Sequence, residues 1–153
     1  MVRSVNAVLL LFLLPLATKA AFLSNLNTTC FRCMCEASTG CNVKAACRQM
    51  YCGPFAISRA YWIDAGKVVL PSDKATRWGA FEDCANDYNC ATNIINHYME
   101  KYATDCNLDG LVDCTDYTML HVNGGPICNQ PLSGAFARTF SKCLENSGRN
   151  SRQ

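Results

Sequence analysis

Asp105, Asn107, Asp109, Asp113 and Asp116 put side-chain oxygens at positions 1, 3, 5, 9 and 12 of a twelve-residue stretch, with Gly110 at position 6 and the apolar Val112 at position 8. Oxygens at that spacing, a glycine for the sharp turn and a main-chain carbonyl at position 7 are what a calcium loop requires. The expected ligands are Asp105, Asn107, Asp109, Leu111 and Asp116, with Asp113 acting through water. The competing reading is a Cys106–Cys114 bridge across the turn that leaves the acids facing solvent.

The second set with chemical potential is the cysteines: Cys30, Cys33, Cys35, Cys41, Cys47, Cys52, Cys84, Cys90, Cys106, Cys114, Cys128 and Cys143, twelve in all. An even number at this density in a short chain reads as a disulfide framework formed in an oxidising compartment. Cys30-x2-Cys33-x-Cys35 looks like half of a zinc knuckle, but no second C-x2-C follows it. Six bridges can be paired in many ways, and spacing does not choose among them.

The compartment follows from the N-terminus. Arg3 precedes the apolar run Val8-Leu9-Leu10-Leu11-Phe12-Leu13-Leu14, which is too short to span a bilayer, and Thr18-Lys19-Ala20 supplies small residues for cleavage. Residues 1–20 are therefore expected to be a signal peptide and the protein to be secreted, with no membrane span. Cleavage leaves 133 residues with 12 Lys+Arg against 12 Asp+Glu. A net charge of zero disfavours nucleic acid as partner, because phosphate-backbone affinity needs a basic surplus. Asn27-Thr28-Thr29 is a glycosylation sequon placed just before the first cysteine.

The elements that must position these groups are mostly helices. Asn27 to Thr39 is expected to be a helix stopped by Gly40. Cys52 to Ile57 reads as a turn, broken by Gly53-Pro54, and a brief strand. Ser58 caps a helix from Arg59 to Ala65, and Lys67 to Thr76 is a surface loop. Apolar positions recur at three and four from Trp78 to Asp105, predicting helix with one break near Asp87. The loop Asp105–Asp116 leads into a short helix ending at Asn123-Gly124-Gly125-Pro126. A last helix, Ser133 to Leu144, buries Phe136, Phe140 and Cys143, and Glu145 to Gln153 is a polar tail expected to fray. With helical patterns on both sides, the acidic loop resembles the EF-hand or dockerin type, its terminal Asp matching dockerins.

Five motifs in order, Cys30-x2-Cys33-x-Cys35-x5-Cys41, Cys52-Gly53-Pro54-Phe55-x-Ile57, Tyr61-Trp62-Ile63-Asp64-x-Gly66, Tyr98-Met99-x-Lys101-Tyr102 and Asn123-Gly124-Gly125-Pro126, resemble the invertebrate-type lysozyme (destabilase) family. The resemblance covers Cys30 to Cys143. It implies a mostly α, small, disulfide-rich, lysozyme-like domain with a short β element over residues 21–144. The implied reaction, which needs no cofactor, is hydrolysis of β-1,4 linkages between N-acetylmuramic acid and N-acetylglucosamine in peptidoglycan. The implied partner is peptidoglycan or another amino-sugar polymer, and Tyr61, Trp62, Tyr98, His121 and Asn123 match positions at the saccharide groove.

The resemblance fails at the chemical centre. The family acid stands three residues before the Cys matching Cys41, and here that position is Ser38, whose hydroxyl is far too weak to protonate a glycosidic oxygen. The family's second carboxylate precedes the Cys matching Cys52, yet only Arg48, Gln49, Met50 and Tyr51 lie between Cys47 and Cys52. Glu36 is the nearest substitute acid, but two residues along a helix turn it about 200° from Ser38. Muramidase activity is therefore expected to be weak or lost, leaving a non-catalytic saccharide- or protein-binding immune or digestive factor as the alternative. Destabilase-type isopeptidase chemistry would need a Ser with a Lys or His. Ser58 and His121 remain, with Arg59 near the expected Lys and no identified orienting group. Finally, two family cysteines are replaced together by Ala65 and Ile94, which predicts a lost bridge and that these two residues are neighbours.

Overall fold

The computed structural model of this chain describes Leu23, residues 25–43 and residues 46–150; the expected signal peptide lies outside the described residues. All twelve cysteines are paired. Cys35–Cys41, Cys47–Cys52 and Cys84–Cys90 close short loops. Cys30–Cys114 and Cys33–Cys143 join residues 84 and 110 positions apart, and Cys106–Cys128 joins residues 22 apart. The long closures restrict the unfolded chain most, at about 4 kcal/mol each in the loop-entropy account. A Cys106–Cys114 bridge does not form: Cys114 is drawn to Cys30 and Cys106 to Cys128, which pins both ends of the acidic loop to other parts of the fold.

The first helix, α1 (Thr28–Thr39), begins where Asn27 Oδ1 accepts from the Cys30 N–H and ends at Gly40, which adopts φ 70°. Strands β1 (Tyr51–Cys52) and β2 (Ile57–Ser58) pair antiparallel with Tyr51 opposite Ser58 and Cys52 opposite Ile57. The turn between them contains Gly53, whose φ is 72° and where an added Cβ would fall 1.7 Å from the Ala85 carbonyl oxygen, so only glycine fits. Ser58 caps α2 (Arg59–Asp64) by accepting from the Tyr61 N–H. Helices α3 (Ala80–Asn86) and α4 (Tyr88–Tyr102) are one helical signal broken at Asp87, which ends the first and caps the second through the Cys90 N–H. Helix α5 (Cys114–Asn123) leads through a 3-10 turn at Gly125–Ile127 to α6 (Gly134–Asn150).

Two boundaries differ from expectation. Helix α5 starts at Cys114, before the presumed end of the acidic loop, because Asp113 and Asp116 form a reciprocal capping box at its N-terminus. Helix α6 runs on past Leu144 through Asn150, six residues into the segment expected to fray. The reason is tertiary: α6 packs along α1, and Ser147 both bonds the Cys143 carbonyl and accepts from Arg32 of α1.

Met34, Phe55, Ile57, Ile94, Ile95, Met99, Tyr117 and Leu120 fill the main core, and a smaller cluster of Cys33, Phe140 and Cys143 seals α6. Ala65, at the end of α2, and Ile94, in α4, are both buried in the main core, on elements that pack against each other. Among the described residues no helix is long and apolar enough to cross a membrane.

Candidate functional site

The cleft is built by three segments that secondary structure alone would not bring together. Helix α2 presents Tyr61 and, one turn on, Asp64; α4 presents Tyr98; the end of α5 presents His121, Val122 and Asn123. The β1–β2 turn closes one side with Tyr51 and Ala56. This part encloses about 280 Å³, and it continues past Tyr51, Ala56, His121 and Val122 into a second part of about 260 Å³ bounded by Ser38, Phe55 and Phe136.

The Gly-Pro-Phe turn holds the walls in place through its carbonyls. Thr39 Oγ1 at the end of α1 donates to the Pro54 carbonyl at 2.6 Å, and His121 Nε2 donates to the Phe55 carbonyl at 2.9 Å. Phe55 itself is fully buried against Phe31 and Tyr88. On the opposite wall Tyr61 and Tyr98 stack with centroids 3.8 Å apart, and His121 meets the Tyr61 ring edge-on at 5.2 Å. Such stacking adds about 0.5–1.5 kcal/mol beyond area burial and fixes the ring positions. The Tyr98 hydroxyl accepts from the Gly125 N–H, and Asn123 Nδ2 donates to the Gln130 carbonyl, so the Asn-Gly-Gly-Pro motif braces this wall.

Burial sets the protonation of the wall. It pushes the Tyr61 hydroxyl well above its ordinary value, helped by Tyr98, and pushes the His121 imidazole below 6.5 against the opposing pull of the Phe55 carbonyl. His121 is therefore a neutral ring that donates from Nε2 and keeps a lone pair on Nδ1. Both that Nδ1 and the Tyr61 hydroxyl are buried without a protein partner.

Of the expected groove residues, Tyr61, Tyr98, His121 and Asn123 line the cleft. Trp62 does not; it is buried, donates its indole N–H to the Val68 carbonyl and packs on Phe81, so it belongs to the core. Ser38 does face the cleft, and its hydroxyl donates to the Met34 carbonyl one turn back. Glu36 lines neither part and instead lies 3.8 Å from Arg32 on the outer face of α1. Ser58 and His121 share the cleft, although Ser58 Oγ serves as the α2 cap and His121 Nε2 is committed to Phe55. The cleft carboxylate that sequence reasoning missed is Asp64. Its signal was present, since Tyr61 and Asp64 stand at i and i+3 on one helix face.

A larger cavity of about 520 Å³, between the acidic loop, α5 and α6, is lined by residues such as Met119, Leu132, Phe140 and Leu144 and holds no titratable side chain. The acidic loop itself turns its oxygens inward to its own backbone. Asp105 accepts from the N–H groups of Leu108, Asp109 and Gly110. Asp109 accepts from Leu111 and from the Asn107 amide. Asp116 is buried and accepts from Cys106, Asn107 and Asp113. Leu111 offers its carbonyl at an exposed position, and Asp113 is spent on the Thr115 N–H. Among the described residues no group of three or more His, Cys, Asp or Glu is placed to hold a metal ion. Asn27, at the sequon, is exposed, and its cap uses Oδ1, leaving the amide nitrogen available to a glycan.

The Destabilase family model matches residues 27–143 of this chain. The chain is 33% identical over 129 residues to a lysozyme of Ostrea edulis, covering 80% of this chain and 82% of that one. It is 34% identical over 112 residues to a lysozyme of Magallana gigas, covering 71% and 73%. In structure it is similar to a chain in the crystal structure of Aeromonas hydrophila PliI in complex with Meretrix lusoria lysozyme, with a TM-score of 0.57, 25% identity and coverage of 80% and 91%. An inhibitor-bound lysozyme from Meretrix lusoria matches with a TM-score of 0.55 and 27% identity over the same shares.

Proposed function

This chain belongs to the destabilase family of invertebrate-type lysozymes, whose reaction is peptidoglycan hydrolysis, and from that premise we propose that it is a secreted member that binds amino-sugar polymer with little or no hydrolysis. One observation carries the reading: the lining of the cleft holds a single carboxylate. Hydrolysis with either stereochemical outcome needs two carboxyl groups flanking the scissile bond, one as acid and one as base or nucleophile. The lining here supplies a single one, Asp64, and the acid's place is taken by Ser38, whose proton is held by the Met34 carbonyl. The short segment between Cys47 and Cys52 offers no second acid.

The walls that would receive a sugar remain. Tyr51 is half exposed at the rim, and aromatic faces cover the C–H surface of a pyranose while neutral donors and acceptors satisfy its hydroxyls. The test is turbidity clearing of Gram-positive cell walls beside retention on insoluble peptidoglycan. Retention without clearing is the expected result. Robust clearing that Asp64→Asn or Glu36→Gln abolishes would overturn the reading, and neither clearing nor retention would point to a protein partner instead.

A further inference from the structure

We propose that this cleft prefers amino-sugar polymers whose amines are free and protonated, such as de-N-acetylated chitin or glycan strands, over fully acetylated ones, with Asp64 as the specificity-determining residue. The inference rests on the saccharide-binding reading and adds a charge preference to it. The lining of both parts of the cleft contains one carboxylate, Asp64, and no Lys or Arg. His121 adds no positive charge, because burial holds its imidazole neutral.

The Asp64 carboxylate is available. Asp64 is exposed, and no ion pair joins its carboxylate to a described cation. Lys101 directs its ammonium to the Asp64 main-chain carbonyl at 3.4 Å, feels the Asp64 charge and lies over the Tyr102 ring, so that it offsets part of that charge only from outside the cleft lining. Asp64 also stands one helical turn from Tyr61 on the cleft face of α2. A pyranose seated against this wall therefore meets a single negative charge that nothing in the lining neutralises. A free sugar ammonium gains from that charge, whereas an acetamido group gains nothing. For an exposed pair at contact distance the gain is about fivefold in affinity, and salt screens it.

The experiment is calorimetric titration of the full mature protein with glucosamine and N-acetylglucosamine oligomers of equal length, in near-neutral, low-salt buffer where His121 stays neutral and part of the sugar amine carries its proton. The wild type should bind the glucosamine oligomer about fivefold more tightly. Added salt and Asp64→Asn should both remove the preference, and Asp64→Glu should retain it. Because Asp64 is exposed, Asp64→Asn should fold, which its circular dichroism checks. Equal or tighter binding of the acetylated oligomer, unchanged by Asp64→Asn, would overturn the charge preference while leaving saccharide binding intact. Binding of neither oligomer, together with no retention on peptidoglycan, would overturn the saccharide reading as well.

Discussion

Acidification should destabilise this protein through His121. The imidazole gives its Nε2–H to the Phe55 carbonyl and has no partner at Nδ1, and burial holds it below its ordinary 6.5. Adding a proton at Nδ1 places an uncompensated cation against the edge of Tyr61, in a cleft wall with no carboxylate bonded to it. In the unfolded chain the same ring takes up its proton around pH 6.5, so between that value and the lower folded one the unfolded state binds more protons. The stabilisation is thus complete above about pH 6.5 and is lost as pH falls towards the folded value, by at most about 1.4 kcal/mol per pH unit. For a domain of this size that amounts to about 3–5 °C in Tm per unit. Asp73 acts in a separate window: the Arg77 guanidinium holds its carboxyl at about 2 against an ordinary 3.8, so its contribution is lost only as pH falls below the latter. Thermal melts followed by circular dichroism between about pH 7 and about pH 5 should show the slope in the wild type. His121→Gln, whose amide can still offer an N–H to Phe55 but does not titrate, should flatten it. A wild type with no slope over that interval, or a His121→Gln variant with the same slope, would refute the assignment.

Gly53→Ala should cost more than about 3 kcal/mol or abolish folding, because its Cβ would sit 1.7 Å from a main-chain oxygen of α3 at a positive φ; denaturant titration measures this, and a near-neutral result would contradict the close approach. Thr29→Ala should remove an Asn27 glycan with little change in stability, whereas Asn27→Ala should remove both the glycan and the α1 cap at about 1 kcal/mol, read by mass and melting temperature. Calcium at millimolar concentration should leave the melting temperature where a chelator leaves it, since among the described residues no group of three or more His, Cys, Asp or Glu is placed to hold an ion; a calcium-dependent rise removed by Asp109→Ala would show that the loop binds it. Ser38→Glu alone should not restore cell-wall lysis, because a second carboxylate is still missing; lysis by that variant would mean that Asp64 serves as the partner acid.

Several features were legible in the sequence because they are decided within a few residues. Asn27, Ser58, Asp87 and Gly40 announce helix ends through bonds to their own neighbours, and the Trp78–Asp105 periodicity with its break at Asp87 reappears as α3 and α4. That Ser38 is a serine was equally plain, since a residue type needs no fold to be read, and the helical angle that sends Glu36 away from Ser38 is a property of α1 alone. Tertiary structure decided what depended on distant partners. Trp62 sits one residue from Tyr61, yet the α3 side of α2 takes it into the core against Phe81 while Tyr61 faces the cleft. The acidic loop also holds the capping box of α5, formed by Asp113 and Asp116, and its two cysteines are held by distant partners, Cys114 by Cys30 and Cys106 by Cys128. Asp64 acquired its place only when α4 and α5 closed the cleft around it. Local bonds are written in adjacent letters, whereas the neighbours of a side chain across a cleft are set by which helices share a core and which cysteines meet.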